Sequence, residues 1–141
     1  MNNIALFLDY AEAFESAFDS DQWGAVAEYF ATDSEYVAID GTRAVGRDQV
    51  VEAFRNSVDA IDRRFDERIV KPLDPQLGED GSVFMTWDIT FRKQGAPDLR
   101  VAGSAEATYE GSKISKLVDQ IDDGVGETMA AWMNEHGSKL A

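Results

Sequence analysis

Residues 83–92, VFMTWDITFR, alternate between two faces of different character. One face carries Val83, Met85, Trp87, Ile89 and Phe91, and the other carries Thr86, Asp88, Thr90 and Arg92. A period of two is typical of a β-strand with one face against a core and the other in water. This stretch therefore predicts a half-buried strand, and the rest of the fold is built outward from it.

Further strands are predicted on both sides of this one. Gln94-Gly95-Ala96-Pro97 is a turn leading into a strand over residues 99–109, and Glu110-Gly111-Ser112 leads into a strand over residues 113–121. A shorter strand over residues 66–71 comes earlier and is followed by a loop over residues 73–82. The three long strands form an antiparallel meander.

The other segments predict helices, because their apolar residues recur at spacings of three and four. The first helix carries Phe7, Tyr10, Ala11, Phe14, Ala17 and Phe18, the second Trp23, Val26, Ala27 and Phe30, the third Val51, Phe54, Val58, Ile61 and Phe65, and the last Val125, Met129, Trp132, Met133 and His136. A short strand over residues 35–39 lies between the second and third helices. This order predicts an α+β fold in which a curved sheet wraps helices on one side.

Composition limits the functions that the chain can have. With 13 basic and 27 acidic residues the net charge is −14, which disfavours nucleic-acid and membrane partners. The chain has no cysteine and one histidine, so a disulfide, a thiolate nucleophile or a usual zinc site is not expected, and we expect no metal or cofactor. Asp9 and Glu12 interrupt the first apolar stretch, so we expect no signal peptide and a cytoplasmic location.

The last long strand, KISKLVDQID, places Asp119 on one face with Leu117 and Ile121. A carboxylate between two large aliphatic residues indicates a side chain that points into an apolar pocket. Burial there would raise the pKa of Asp119 toward the range of a general acid or base. The alternatives are a carboxylate paired with a buried arginine, or a residue at a strand edge in water.

The segments YAEAFESAFDSDQWGAVAEYFATDSEYVAIDGTRAVGRDQVVEAFRNSV and KISKLVDQID carry a resemblance over about residues 4–122. The order of elements, the SDQW start of the second helix and the Gly-Arg-Asp before the third resemble the nuclear transport factor 2-like superfamily, and its SnoaL-like branch most. The resemblance implies one domain over residues 1–141, a cone-shaped curved mixed β-sheet wrapped around three helices of the N-terminal half, and a C-terminal helical extension over residues 123–141. It also implies an apolar cavity and a homodimer.

The same fold serves isomerases, polyketide cyclases, dehydratases, epoxide hydrolases and non-enzymatic adaptors, so the site residues must be compared one by one. The three functional positions of the steroid isomerases fall on Phe14, Ala38 and Ala105, so that isomerisation is not expected. SnoaL-like cyclases carry an acid/base aspartate on a late strand that faces the cavity. In this chain the resemblance matches that position to Asp119.

A flat hydrophobic ligand is expected in the cavity. The predicted lining residues are Tyr10, Phe14, Phe18, Trp23, Tyr36, Arg55, Trp87, Leu117 and Ile121. Tyr36 could donate a hydrogen bond to a substrate oxygen, and Arg55 could orient Asp119 or bind an anionic group. Core packing for the aromatic residues and a solvated helix face for Arg55 are the alternatives.

Two functions from different classes follow. The first is a cofactor-free isomerase, cyclase or lyase that acts on a small hydrophobic carbonyl compound, with Asp119 transferring the proton. The second is a non-catalytic domain for ligand binding or dimerisation. The two can be distinguished, because an enzyme would need a second polar group within hydrogen-bond reach of Asp119. The predicted dimer surface is the polar outer face of the long strands, formed by Thr86, Asp88, Thr90, Ser104, Glu106 and Thr108.

Overall fold

The computed structural model describes residues 2–140. In this part of the chain there are four α-helices: α1 (Asn3–Ser20), α2 (Gly24–Ala27), α3 (Arg47–Ala60) and α4 (Val125–His136). The strands are β1 (Phe30–Val37), β2 (Arg43–Val45), β3 (Glu67–Val70), β4 (Gln76–Leu77), β5 (Val83–Arg92), β6 (Leu99–Glu110) and β7 (Lys113–Ile121). Short 3₁₀ helices cover Asp62–Arg64 and Gly137–Leu140.

All seven strands belong to one mixed sheet. Its order is β2-β1-β7-β6-β5-β3, with β4 paired to the end of β5. The β5-β6-β7 meander is antiparallel as predicted, whereas β1 runs parallel to β7. The predicted α+β fold, with a curved mixed sheet, helices of the N-terminal half and a C-terminal helix, is confirmed.

Helices α1 and α3 cover one face of the sheet, which we call the inner face. A first core cluster joins Phe7 and Tyr10 of α1, Val50 and Phe54 of α3, and inward side chains of the strands such as Met85, Ala107 and Leu117. Burying these side chains removes apolar surface from water at about 25 cal/mol per Å². The inner face is therefore where a partly polar site would be enclosed.

Helix α4 packs on the remaining part of the inner face. Trp132 is buried in a second core cluster with Phe65, Phe91 and Leu99, and its indole Nε1 donates a hydrogen bond to the carbonyl oxygen of Pro97 at 2.8 Å. Trp87 packs against both clusters. Within residues 2–140, none of the helices combines the length and the apolar composition that crossing a membrane requires.

The short strands β2 and β4 were not predicted, and β4 lies within the loop predicted over residues 73–82. Two element boundaries also differ from the prediction. The strand expected over residues 35–39 begins at Phe30, which had been placed in the second helix, because Phe30 pairs with Ile114 and the Ile114 N–H binds the Tyr29 carbonyl at 2.8 Å. The third helix ends at Ala60, and Phe65 instead joins the second core cluster. In both cases a contact with a distant strand outweighs local helical periodicity.

Candidate functional site

Asp119 and Tyr36 form a hydrogen-bonded pair at the inner face. Asp119 lies opposite Ala105 in the register between β7 and β6, and Tyr36 of β1 lies opposite Leu117 of β7. The Tyr36 hydroxyl donates a hydrogen bond to Oδ2 of Asp119 at 2.7 Å. Asp119 thus has a second polar group within hydrogen-bond reach, which a proton-transfer site requires.

The packing around Tyr36 holds its phenol ring in place. Its side chain is 9% exposed, and its ring meets the Phe54 ring edge-on with 4.7 Å between the centroids. Ala105, the neighbour of Asp119 on β6, is also buried and presents only a methyl group. A small residue next to the carboxylate and an aromatic residue behind the phenol leave the pair in an apolar surrounding.

Burial changes the acidity of both groups. It raises the pKa of Asp119 from an ordinary value of 3.8 to about 6, although the hydrogen bond from Tyr36 acts in the opposite direction by favouring the carboxylate. Burial and the neighbouring Asp119 charge raise the pKa of Tyr36 well above its ordinary value. Asp119 can therefore exchange a proton near neutral pH, while Tyr36 stays a hydrogen-bond donor.

Two further tyrosines, Tyr10 and Tyr109, belong to or pack against the first core cluster. Burial raises the pKa of Tyr10 well above 10, and the charges of Asp119 and Tyr109 nearby raise it further. Tyr109 was not among the predicted site residues, although it shares the odd-numbered face of β6 with Ala105 and Ala107. Continuing that alternation to the end of the strand is the signal that could have found it.

Several of the predicted lining residues pack beside this group. Phe14 meets Trp23 at 5.4 Å and Phe54 at 5.5 Å between ring centroids, both edge-on. Leu117 is buried in the same cluster. Trp87 lies against Gly103, and Ile121 packs toward the second core cluster.

The structure does not bring Phe18 or Arg55 into contact with Asp119. Phe18 lies beneath two guanidinium groups, those of Arg63 at 5.7 Å and Arg68 at 5.1 Å from the ring centroid. Arg55 lies on the exposed side of α3, where it forms an ion pair with Glu52 at 3.7 Å. Arg55 therefore lies on a solvated helix face, which was the alternative to a role in the cavity.

Two surface grooves lie elsewhere in the molecule. The first, of about 470 Å³, runs between α1 and α2 and is lined by Asp9, Glu12, Ala13, Ser16, Ala17, Ser20, Gln22, Ala25 and Tyr29. The second, of about 300 Å³, is lined by Lys71, Pro72, Thr86, Trp87, Asp88, Arg100, Ala102, Gly103 and Asp122. Asp119 lines neither groove. Within residues 2–140, no three acidic or histidine side chains are grouped as a metal site.

The fold is shared with solved structures of low sequence identity. TerC co-crystallised with polyporic acid has a TM-score of 0.68 at 14% identity, over 94% of this chain and 98% of that one. A predicted SnoaL-like polyketide cyclase from Shewanella denitrificans OS-217 has a TM-score of 0.64 at 14% identity, over 95% and 98%. A hypothetical protein with a ketosteroid isomerase-like fold from Catenulispora acidiphila DSM 44928, in complex with trimethylamine, has a TM-score of 0.59 at 21% identity, over 78% and 82%.

No protein-family model matches the chain, and no curated protein matches its sequence. The fold that the resemblance implies, a curved mixed sheet with helices on one face, is confirmed by these structures, which include SnoaL-like and ketosteroid isomerase-like proteins. Because one such fold serves many reactions, the reaction has to be argued from Asp119 and its neighbours.

Proposed function

We propose that this protein is a cofactor-free acid/base enzyme, an isomerase, cyclase or lyase, that acts on a small hydrophobic carbonyl compound. The observation that carries the proposal is the 2.7 Å hydrogen bond between Tyr36 and Asp119 in an aromatic core. A half-buried carboxyl with a pKa of about 6 is suited to take a proton from carbon near neutral pH and to return it.

The reaction begins with proton abstraction. The Asp119 carboxylate takes a proton from the carbon next to the substrate carbonyl, and the electron pair of the broken C–H bond moves onto the carbonyl oxygen. A hydrogen-bond donor at that oxygen stabilises the enolate. Tyr36 can be this donor, because its raised pKa keeps its hydroxyl protonated. Asp119 then returns the proton to another position of the substrate. In a cyclisation the enolate carbon instead attacks a second carbonyl, and Asp119 gives its proton to the alkoxide oxygen that forms.

The substrate class follows from the surroundings of the pair. The rings of Tyr10, Phe14 and Phe54 lie close to one another there, and such surfaces favour flat apolar ligands. Among the proteins that share the fold, one was co-crystallised with polyporic acid and several are predicted polyketide cyclases. These likenesses support a carbonyl compound of similar character.

Deuterium exchange tests the proposal directly. Ketones that raise the melting temperature in a thermal-shift screen of polyketide-like, steroid-like and terpenoid compounds would be incubated with the protein in D₂O, and deuterium at the carbon next to the carbonyl would be followed by NMR. We expect exchange by the wild type to fall by about 10²-fold or more in Asp119→Asn. The control Asp123→Asn makes the same change at an exposed residue close in the chain and should exchange like the wild type. Equal exchange by all three proteins would contradict the assignment.

A second function is favoured by a separate observation. Tyr10, Phe54 and Leu117 fill the region next to Asp119, and the two described grooves lie away from it. This arrangement suits a non-catalytic domain for ligand binding or dimerisation. No stabilising compound in a broad screen, together with no exchange, would favour it.

We also propose that the protein is a homodimer formed through the outer face of the sheet. This face carries the exposed Thr86, Glu106 and Thr108, and the apolar side chains of Phe84 and Ile69 are 46% and 41% exposed beside them. A mixed apolar and polar face of this kind suits an interface between two equal sheets. Sedimentation at micromolar concentration should give twice the 15.6 kDa chain mass, and a monomer would exclude this interface.

A further inference from the structure

The groove between α1 and α2 is the larger of the two described grooves, and Asp119 is not among its lining residues. Its volume of about 470 Å³ lies in the range of pockets that hold small molecules. Along α1 it extends from Asp9 to Ser20, which is about 16 Å at a rise of about 1.5 Å per residue. The groove is therefore large enough for a ligand, and its lining indicates which kind.

The shape of the groove is fixed by the turn that joins its two helices. Asp21 follows α1 with a left-handed φ of 62°, and its N–H donates a hydrogen bond to the Ala17 carbonyl oxygen at 2.7 Å. The Trp23 indole Nε1 donates to Oδ1 of Asp21 at 2.8 Å, and the buried Trp23 ring packs edge-on against Phe14. A ligand would thus meet a preformed surface, which lowers the cost of binding.

Small apolar side chains form the bottom of the groove. Ala17 is 1% exposed, Ala13 is half-buried against the first core cluster, and Ala25 of α2 lines the same groove. We call these three residues the alanine floor. Beside them lies the half-buried Tyr29, whose ring is held edge-on to the Tyr10 ring with 6.4 Å between the centroids. The carbon skeleton of a ligand can therefore approach α1 closely.

One end of the groove carries negative charge that no basic side chain balances. Asp9 and Glu12 lie three positions apart, so they are neighbours on the surface of α1. The described lining residues include no lysine or arginine, and the ion pairs found within residues 2–140 involve neither Asp9 nor Glu12. Glu15 on the same helix lies outside the groove and is paired with Arg68 at 2.7 Å. The groove thus offers two carboxylates to a positively charged group.

A metal ion does not match this lining. Calcium takes about six to eight oxygen ligands, whereas two carboxylates are available, and the described part of the chain has no group of three acidic or histidine side chains that could hold an ion. An ammonium group needs fewer partners. Tyr29 also supplies an aromatic ring, and such rings attract cations to their faces.

We propose that the groove between α1 and α2 binds a small organic cation, an amine whose ammonium group lies at Asp9 and Glu12 and whose carbon skeleton lies on the alanine floor. The charge of the groove selects the ammonium group, and its apolar floor selects the body of the molecule. This site is separate from Asp119, so the inference does not rest on the proposed function.

The test uses phenethylamine and 2-phenylethanol, which have nearly the same shape and differ in an ammonium against a hydroxyl group. Dissociation constants would be measured at low ionic strength from the shifts of backbone amides in two-dimensional NMR. We expect saturable shifts in α1 and α2 and a preference for the amine that falls as salt is added, because salt screens exposed charges. Asp9→Asn and Glu12→Gln should each lower the affinity for the amine about twofold to fivefold, the range of one exposed ion pair.

Matched controls separate the groove from the general acidity of a chain with net charge −14. Asp19→Asn removes the same charge from an exposed residue of α1 outside the groove and should bind the amine like the wild type. Ser16→Leu fills the groove from an exposed lining residue and should abolish saturable binding of both compounds. Ser57→Leu makes the same change on the exposed side of α3 and should leave binding unchanged.

Any of four results would overturn the inference. The first is the lack of a saturable shift with phenethylamine up to about 20 mM, and the second is equal affinity for the amine and the alcohol. The third is an equal loss of affinity in Asp19→Asn and Asp9→Asn, which would indicate attraction to the acidic protein as a whole. The fourth is undiminished binding to Ser16→Leu. Amine binding should be the same in Asp119→Asn as in the wild type, so a failure of the proposed catalysis would leave this site intact.

Discussion

Asp119→Asn is expected to make the protein more stable than the wild type as the pH rises through 6. The pKa of Asp119 is about 6 in the folded protein against an ordinary 3.8, because the folded state buries the carboxyl. Below pH 3.8 both states are protonated and the group keeps its full contribution to stability. Between 3.8 and 6 the unfolded chain loses the proton while the folded protein keeps it, so stability falls with rising pH until Asp119 ionises in the folded state.

The size of the effect follows from the two pKa values. At 1.36 kcal/mol per pKa unit, ionising Asp119 lowers the free energy of unfolding by about 3 kcal/mol above pH 7. Because the pI is about 4.3, the protein is prone to precipitate near pH 4. Unfolding is therefore best measured between pH 5 and 8. Over that range the wild type should lose about 1.4 kcal/mol relative to Asp119→Asn, since part of the loss has already occurred at pH 5.

Urea unfolding followed by tryptophan fluorescence at pH 5, 6, 7 and 8 would measure this difference. Asparagine keeps the shape, accepts the hydrogen bond from Tyr36 and does not titrate, and subtracting the two proteins cancels the other carboxylates. The control Asp123→Asn should differ from the wild type by the same amount at each pH. A difference between wild type and Asp119→Asn that stays flat from pH 5 to 8, or that favours the wild type increasingly, would refute burial as the dominant influence on Asp119.

Three other substitutions test the surroundings of the site. Tyr36→Phe removes the hydrogen bond that favours the carboxylate, so NMR titration should give Asp119 a pKa above that of the wild type; a lower value would contradict the contact. Arg68→Met should lower the free energy of unfolding in urea by about 3 kcal/mol, because the 10% exposed guanidinium pairs with two carboxylates that would lose their partner; a loss below about 1 kcal/mol would show the pairs to be dispensable. Gly103→Ala should cost about 1–3 kcal/mol in the same assay, since its methyl group would clash with the Gln120 carbonyl oxygen, and an unchanged midpoint would exclude that clash.

Local periodicity determined the elements that it describes directly. The observed β5 (Val83–Arg92) and β7 (Lys113–Ile121) have the predicted bounds, because a strand with one face in a core needs alternating side chains and a turn residue at each end. The same alternation placed Asp119 on one face with Leu117 and Ile121. These features depend on neighbours in the chain, so they can be predicted without a tertiary structure.

Pairing between distant segments decided the rest. The parallel contact of β1 with β7 moved Phe30 from a predicted helix into a strand, and the same register brings Tyr36 to Asp119 across 83 positions of sequence. The exposed position of Arg55 likewise depends on which surfaces meet in three dimensions. Composition and spacing do not specify such contacts, because packing, register and desolvation act between residues that are remote along the chain.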